Sequence, residues 1–317
     1  MAVVVKRVLL ASPRGYCAGV ERAVETVERA LALYGSPVYV RKQIVHNSHV
    51  VRDLEARGAV FVDELTSVPA GATVVFSAHG IAPAVRAEAG ERGLETIDAT
   101  CPLVTKVHTQ ARRYASAGYA IVLIGHAGHE EVEGTLGEAP EAIVLVQSAE
   151  DAEHVSLPAD RPLAYITQTT LSVDETTEIV AVLRRRYPQI EEPAREDICY
   201  ATSNRQWAVK ELIEEVDVLL VVGSENSSNS VRLVDVARVA GVDAYLVDDL
   251  GAIDERWLEG RETVGLTSGA SAPERLIADL CEWFRKRGAE VVERKSVHED
   301  VSFKLPVELR RAERAAA

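Results

Sequence analysis

The sequence predicts an α/β fold built from three pseudo-threefold-related α/β lobes with mostly parallel sheets. Three observations carry this expectation. Apolar, β-branched runs alternate with stretches of helical periodicity, three of the four cysteines each sit just before such a stretch, and a polar cluster follows the next strand at a nearly constant distance.

The strand-like runs are 6–11, 38–45, 73–78, 120–124, 143–146, 164–167, 218–222, 244–247 and 264–267. Between most of them the apolar residues take helical spacing. Val20, Val24, Val27 and Leu31 follow Cys17; Val104, Val107, Ala111 and Tyr114 follow Cys101. After Cys199, Trp207, Leu212, Ile213 and Val216 suggest a third such helix, with Ser203 and Gln206 fitting a capping box. Helices between strands are what parallel pairing requires, because a parallel crossover is too long for a turn.

The repeat is visible in the spacing. His46 lies 29 residues after Cys17, His129 lies 28 after Cys101, and Ser227 lies 28 after Cys199. A second polar position follows another strand in each case, at His79, Thr169 and Ser271. Ligands collect at the carboxyl ends of parallel strands, so three such units would converge on one central cavity. The expected division is 18–100 for a first lobe, 101–196 for a second, and 1–17 with 197–305 for a third. Residues 306–317 form a tail expected to fray.

Composition narrows the function. A hydrophobic share of 47% with 26% charged residues fits a globular protein, and no apolar run reaches the roughly 18 residues of a membrane span. The first eleven residues place their charges mid-run and lead into a glycine turn. They read as a strand rather than a signal peptide, which points to the cytoplasm. With 35 basic against 49 acidic side chains, the net charge of −14 argues against nucleic acid or an anionic membrane as partner. Four scattered cysteines do not resemble a secreted disulfide framework and point instead to metal binding or catalysis.

A cysteine at a helix start gains from the positive end of the helix dipole, which stabilises the thiolate that binds metal. Cys17, Cys101 and Cys199 share that position, and three thiolates suit either an incomplete zinc site or a [4Fe–4S] cluster with one iron lacking a protein ligand. Cys281 lies on a periodic apolar stripe, 276–284, and reads as a core thiol. His46, His79 and His129 are potential donors to phosphate oxygens, and Ser227, Ser228, Asn229 and Ser271 add neutral ones. The short polar loop 223–230 falls between a strand and a helix, where backbone amides can cradle phosphate. The chain has no lysine-bearing phosphate loop, so a diphosphate is favoured over a nucleoside triphosphate. Glu131, just after His129, is placed to carry a proton, with Glu130 beside it as the rival.

Nine ordered segments then define a family pattern. They are PRGYCAGV at 13–20, VHN at 45–47, SAHG at 77–80, DATCPLVTKVH at 98–108, GHAGHEEV at 125–132, QTTLS at 168–172, DICYAT at 197–202, SSNS at 227–230 and SGASAP at 268–273. Together they resemble the LytB-type 4-hydroxy-3-methylbut-2-enyl diphosphate reductases of the non-mevalonate isoprenoid pathway. The resemblance implies lobes around a central [4Fe–4S] cluster on Cys17, Cys101 and Cys199. It also implies diphosphate recognition by His46, His79, His129, Ser227, Ser228, Asn229 and Ser271, with Thr169 near the substrate hydroxyl and Glu131 as proton donor. The implied reaction removes that hydroxyl reductively to give isopentenyl and dimethylallyl diphosphates. No flavin or nicotinamide fingerprint is present, so the electrons are expected from a ferredoxin or flavodoxin. Glu130 stands where many members carry proline.

Overall fold

The structure, a computed structural model, describes residues 5–316; Met1 to Val4 of the expected first strand, and Ala317 of the tail, lie outside the described residues. In chain order the first elements are β1 (Arg7–Ser12), α1 (Ala18–Tyr34), β2 (Val38–Arg41), α2 (Ser48–Glu55), β3 (Ala59–Val62), β4 (Thr73–Phe76), α3 (Pro83–Glu91), β5 (Glu95–Asp98) and α4 (Pro102–Ser116). Next come β6 (Ala120–Ile124), α5 (Glu130–Leu136), β7 (Ile143–Val146), α6 (Ala149–His154), β8 (Leu163–Thr167) and α7 (Val173–Arg186). The remainder is α8 (Tyr200–Leu212), β9 (Val218–Val222), α9 (Ser228–Val239), β10 (Asp243–Val247), β11 (Thr263–Ser268), α10 (Glu274–Lys286), β12 (Glu290–Lys295) and α11 (Val307–Ala316).

The fold is α/β with three sheets, and every strand pairing among the described residues is parallel. Each of the nine apolar runs overlaps a strand. The three strands that no apolar run marked, β3, β5 and β12, all lie at sheet edges.

The first of two compact units comprises the chain up to Ala18, residues 46–50 and residues 200–302. Its sheet runs β10-β9-β11-β1-β12. Strand side chains alternate between faces, and both faces here are apolar. Val8, Leu10, Leu220 and Leu266 pack on one side against Ile277, Leu280 and Phe284 of α10. Leu9, Leu219 and Val221 pack on the other against Val209 and Leu212 of α8 and Leu233 of α9. Cys281 is buried in the α10 cluster, and burial pushes its thiol pKa up.

The second unit holds residues 19–45, 51–199 and the chain from Phe303 onward, with sheets β3-β2-β4-β5 and β7-β6-β8. Strand β6 is buried along its whole length. Val122 and Ile124 face Ile179 and Leu183 of α7, whereas Ile121 and Leu123 face Val107 and Ala111 of α4.

Two local expectations change. Helix α8 begins at Tyr200, so Ser203 lies inside it and is not its cap; its buried face carries Ala201, Arg205, Ala208 and Leu212, leaving Trp207 56% exposed. The tail after Pro306 is helical. Leu309 of α11 is fully buried, Arg310 Nε donates to Leu305 O, and α11 packs beside β5. A single buried leucine contributes about 1.5–3 kcal/mol, enough to hold a short arginine- and alanine-rich helix in place. Among the described residues no helix is long and apolar enough to cross a membrane.

Candidate active site

Cys17, Cys101 and Cys199 are half-buried, form no disulfide, and directly precede α1, α4 and α8. One backbone hydrogen bond recurs at all three. The cysteine N–H donates to the carbonyl two residues past the end of a strand: Cys17 to Ala270 after β11 (3.2 Å), Cys101 to Ala78 after β4 (2.9 Å), Cys199 to Thr169 after β8 (3.0 Å). This peg is the physical form of the sequence repeat. It fixes each cysteine at a helix entrance, where unsatisfied amides favour negative charge. At Cys101 the backbone is extended (φ −57°, ψ 133°), the thiol makes no cap bond, and Pro102 opens α4 where no donor is needed.

The neighbours of the three cysteines are also braced. Within the first unit, the Tyr200 hydroxyl accepts the Ala18 N–H at 3.3 Å. Within the second, Lys106 of α4 donates to the carbonyls of Arg195 (2.9 Å) and Glu196 (2.6 Å) and pairs with Asp197 at 3.0 Å. Burial pushes the Asp197 pKa up, against the pull of Lys106. Three half-buried thiols at braced helix starts suit a thiolate-bound metal group. Cys281, by contrast, is sealed in the α10 core and has no such position.

The first unit gathers His46, Ser227, Asn229 and Ser271. Ser271 Oγ donates to His46 O at 2.9 Å and lies 3.5 Å from Ser227 Oγ. Ser227 caps α9, its Oγ accepting from the Ser230 N–H (3.4 Å) and the Ser230 Oγ (3.0 Å). Asn229 Oδ1 accepts the Ala270 N–H at 2.9 Å, and its Nδ2 donates to Thr202 Oγ1 at 3.2 Å. Ala270 therefore links the Asn229 amide to the peg of Cys17. Asn226 Nδ2 donates to His46 Nδ1 at 3.4 Å, which leaves the ring proton on Nε2. Ser228 is half-buried in the first turn of α9. A Cβ at Gly269 would stand 1.9 Å from Ser230 Oγ, so only glycine allows the β11 end to approach α9 this closely.

The second unit gathers His79, His129, Glu131 and Thr169. Glu131 is 2% exposed; its Oε1 accepts the Thr169 N–H at 2.6 Å and its Oε2 accepts the Thr169 Oγ1 at 3.0 Å. Burial drives its pKa up to about 7, although both bonds from Thr169 pull it down. His129 caps α5, Nδ1 accepting the Glu131 N–H at 3.1 Å, so its proton also sits on Nε2. Burial, then the neighbouring His79 and His126, lowers the His129 pKa to about 3, and the ring is neutral at physiological pH. The His79 ring meets it edge-on, with centroids 5.8 Å apart.

Two residues of these networks differ from their sequence reading: Glu130 enters it only as the rival of Glu131, and Arg205 carries no signal at all. Glu130 is not a solvated charge: its side chain is 16% exposed, and Oε2 lies 3.2 Å from His79 Nδ1 and accepts from Ser77 Oγ at 3.3 Å. Arg205 is fully buried, donating to Gly15 O (2.8 Å) and Ala201 O (2.9 Å) and pairing with Glu299 (3.0 Å), so it holds the loop before Cys17 to the start of α8. The Arg205–Glu299 pair is 94 residues apart in sequence, which no local pattern reports.

Residues 8–285 match the family model described as LytB protein. A relative from Acidothermus cellulolyticus, named 4-hydroxy-3-methylbut-2-enyl diphosphate reductase, is 61% identical over 96% of this chain and 91% of its own length. One of the same name from Burkholderia pseudomallei is 55% identical over 96% of this chain and 98% of its own. Among solved structures, the E-1-hydroxy-2-methyl-but-2-enyl-4-diphosphate reductase from Plasmodium falciparum is similar with a TM-score of 0.96 at 39% identity, over 98% of this chain and 99% of that one. An (E)-4-hydroxy-3-methyl-but-2-enyl diphosphate reductase, described as the terminal enzyme of the non-mevalonate pathway, is similar with a TM-score of 0.63 at 30% identity, over 90% of this chain and 100% of that one.

Proposed function

We propose, because this chain belongs to the LytB protein family, that it reduces (E)-4-hydroxy-3-methylbut-2-enyl diphosphate to isopentenyl and dimethylallyl diphosphates in the non-mevalonate isoprenoid pathway. In balance, the carbon–oxygen bond to the hydroxyl breaks, the oxygen leaves as water, and two electrons and two protons are consumed. A [4Fe–4S] cluster held by Cys17, Cys101 and Cys199 would supply the electrons and a Lewis-acidic iron for the hydroxyl oxygen. A cytoplasmic ferredoxin or flavodoxin would recharge it.

The buried carboxyl of Glu131 carries this reading. An amide can only donate, so the Thr169 N–H fixes Oε1 as acceptor and leaves any acid proton to Oε2. With a pKa of about 7, that proton is present on a large share of molecules at neutral pH. Oε2–H then donates to Thr169 Oγ1, whose own hydrogen turns to the departing hydroxyl. The pair thus moves one proton from Glu131 through Thr169 to oxygen, which leaves as water rather than as hydroxide. Toward the diphosphate, the first unit offers His46 Nε2–H with Ser227, Ser228, Asn229 and Ser271. The second offers His79 and His129. Hydrogen-bond donors fixed in this way orient an anion without reorganising as it binds.

The test is anaerobic turnover of the iron- and sulfide-reconstituted protein with the hydroxylated diphosphate and a strong one-electron reductant. Both alkenyl diphosphates should form, and only with reductant. Formation of neither, or turnover indifferent to reductant, would overturn the assignment.

A further inference from the structure

Each of the three helices that a cysteine precedes carries a buried or half-buried cation early in its length: Arg22 five residues after Cys17 on α1, Lys106 five after Cys101 on α4, and Arg205 six after Cys199 on α8. Each cation reaches the loop ahead of a different cysteine. Arg22 Nη1 donates to Ala99 O (3.0 Å) and Thr100 O (3.1 Å), and its Nη2 to Asp98 O (3.4 Å), the three carbonyls before Cys101. Lys106 holds Arg195 O, Glu196 O and the Asp197 carboxylate before Cys199. Arg205 Nη2 holds Gly15 O, two residues before Cys17. Arg22 and Lys106 make these contacts inside the second unit, and Arg205 inside the first. In chain order the pattern is cyclic: the helix after the first cysteine serves the second, that after the second serves the third, and that after the third serves the first.

The peptide group between Thr100 and Cys101 shows what such a brace does. In a trans peptide the carbonyl and the N–H point in opposite directions. Here Thr100 O accepts from Arg22 while the Cys101 N–H donates to Ala78 O at 2.9 Å, so the plane that ends at the Cys101 Cα is clamped along both edges. Ahead of Cys17 the clamp spans one residue: the Gly15 N–H donates to Ser268 Oγ at 2.8 Å and its carbonyl accepts from Arg205. Ahead of Cys199 the Asp197 side chain does the same work, Oδ2 accepting the Thr167 N–H at 3.2 Å and Oδ1 meeting Lys106. Loop carbonyls have no ladder partner, and a cation with several N–H groups can satisfy two or three of them at once. Bonds from a charged donor are also about twice as strong as neutral ones.

We infer that Arg22, Lys106 and Arg205 are positioning residues for the metal site, each fixing the ligand cysteine of the next repeat and not the one ahead of its own helix. The inference rests on the assignment of the three cysteines as ligands. Groups that orient metal ligands are typically worth about ten- to a hundredfold in metal retention. Arg22 carries the largest share of this work. Its Nε also donates to Lys304 O at 2.7 Å, so one planar guanidinium spans four carbonyls, a geometry that an ammonium with three donors does not reproduce.

Hydrogen exchange of the anaerobic holoenzyme, read on the separate peptides that carry Cys17, Cys101 and Cys199, tests the direction of the braces. Arg22→Gln should speed exchange about tenfold in the Cys101 peptide and leave the other two at wild-type rates. Lys106→Gln should do so for Cys199 alone, and Arg205→Lys, which keeps a charge opposite Glu299, for Cys17 alone. Lys106→Arg should restore wild-type exchange, and Arg22→Lys should restore it only in part. Release of iron to a chelator, followed by the visible spectrum, should be about tenfold faster in Arg22→Gln and Lys106→Gln. Because the four bonds of Arg22 go to carbonyls, Arg22→Gln breaks no ion pair and decides the case even where another variant fails to fold. Equal acceleration in all three peptides, the mark of a merely structural role, would overturn the inference. So would acceleration at the cysteine ahead of the variant's own helix, or none at all. Wild-type iron content in Cys101→Ser would instead overturn the ligand assignment beneath it.

Discussion

The donor sets of the two units are built on opposite principles. In the first, Ser227, Asn229 and Ser271 are neutral, buried, and already bonded to one another or to backbone. In the second, the buried acid Glu131 is held by Thr169, and Glu130 beside it meets His79, all placed by the first turn of α5 and the ends of β4 and β8. The hydroxyls and amide of the first set offer orientation with no titrating group of their own. The second concentrates the movable protons around one helix start, so binding and proton delivery should be separable by mutation.

The largest effects should come from the residues both units share in kind, the pegged cysteines. Cys17→Ser, Cys101→Ser and Cys199→Ser should each lose nearly all cluster iron, whereas Cys281→Ser should keep it. Iron and sulfide analysis after anaerobic reconstitution decides this, and equal iron in wild type and Cys199→Ser would remove that residue from the ligand set.

Next in size is the proton. Glu131→Gln preserves shape and should keep both iron and substrate affinity, while turnover falls by about a hundredfold to ten-thousandfold, the usual worth of general acid catalysis. Wild-type turnover should also decline above about pH 7, as Glu131 loses its proton. If Glu131→Gln weakened binding as much as turnover, the division between orienting and proton-handling sets would not hold.

The same carboxyl should mark the stability of the fold. Its pKa rises from 4.5 to about 7 on folding, so below pH 4.5 both states hold the proton. Between the two values only the folded state does, and stability falls as pH rises, by about 1.4 kcal/mol per unit and about 3 kcal/mol in all. The excess stability of wild type over Glu131→Gln in denaturant unfolding should shrink by that amount between pH 4.5 and pH 7.5. A flat difference would mean that Glu131 is ionised throughout.

These contrasts also explain what the sequence could reveal. Apolar runs such as 218–222 announce buried central strands, because both faces of β9 are covered. Strands β5 and β12 do not. Ile97 is the only fully buried residue of Glu95–Asp98, and Glu290–Lys295 has none, so edge pairing rather than composition makes them strands. Site residues were legible by type and spacing, because the repeat places cysteines and donors at matching strand ends. Their protonation was not, since the partner that sets each ring lies elsewhere: Asn226 for His46, an amide for His129, Glu130 for His79. Trp207 misled because apolar spacing alone cannot tell a core face from a surface one when the buried face carries Arg205 and Gln206.

The smallest predicted effect is the most direct check on the contrast between units. Ser271→Ala removes one neutral hydroxyl whose present partner is the His46 carbonyl. A carbonyl can still be satisfied by water once the cavity of a missing hydroxyl opens, so the cost should be that of an ordinary neutral hydrogen bond. That corresponds to about 0.5–1.5 kcal/mol, or roughly two- to tenfold in diphosphate affinity. Because no group in the Ser227–Asn229–Ser271 network titrates near neutrality, the ratio of wild-type to Ser271→Ala affinity should stay constant from pH 6.5 to pH 8.5. A ratio that changes over this range would mean that the first unit's donors also sense a proton.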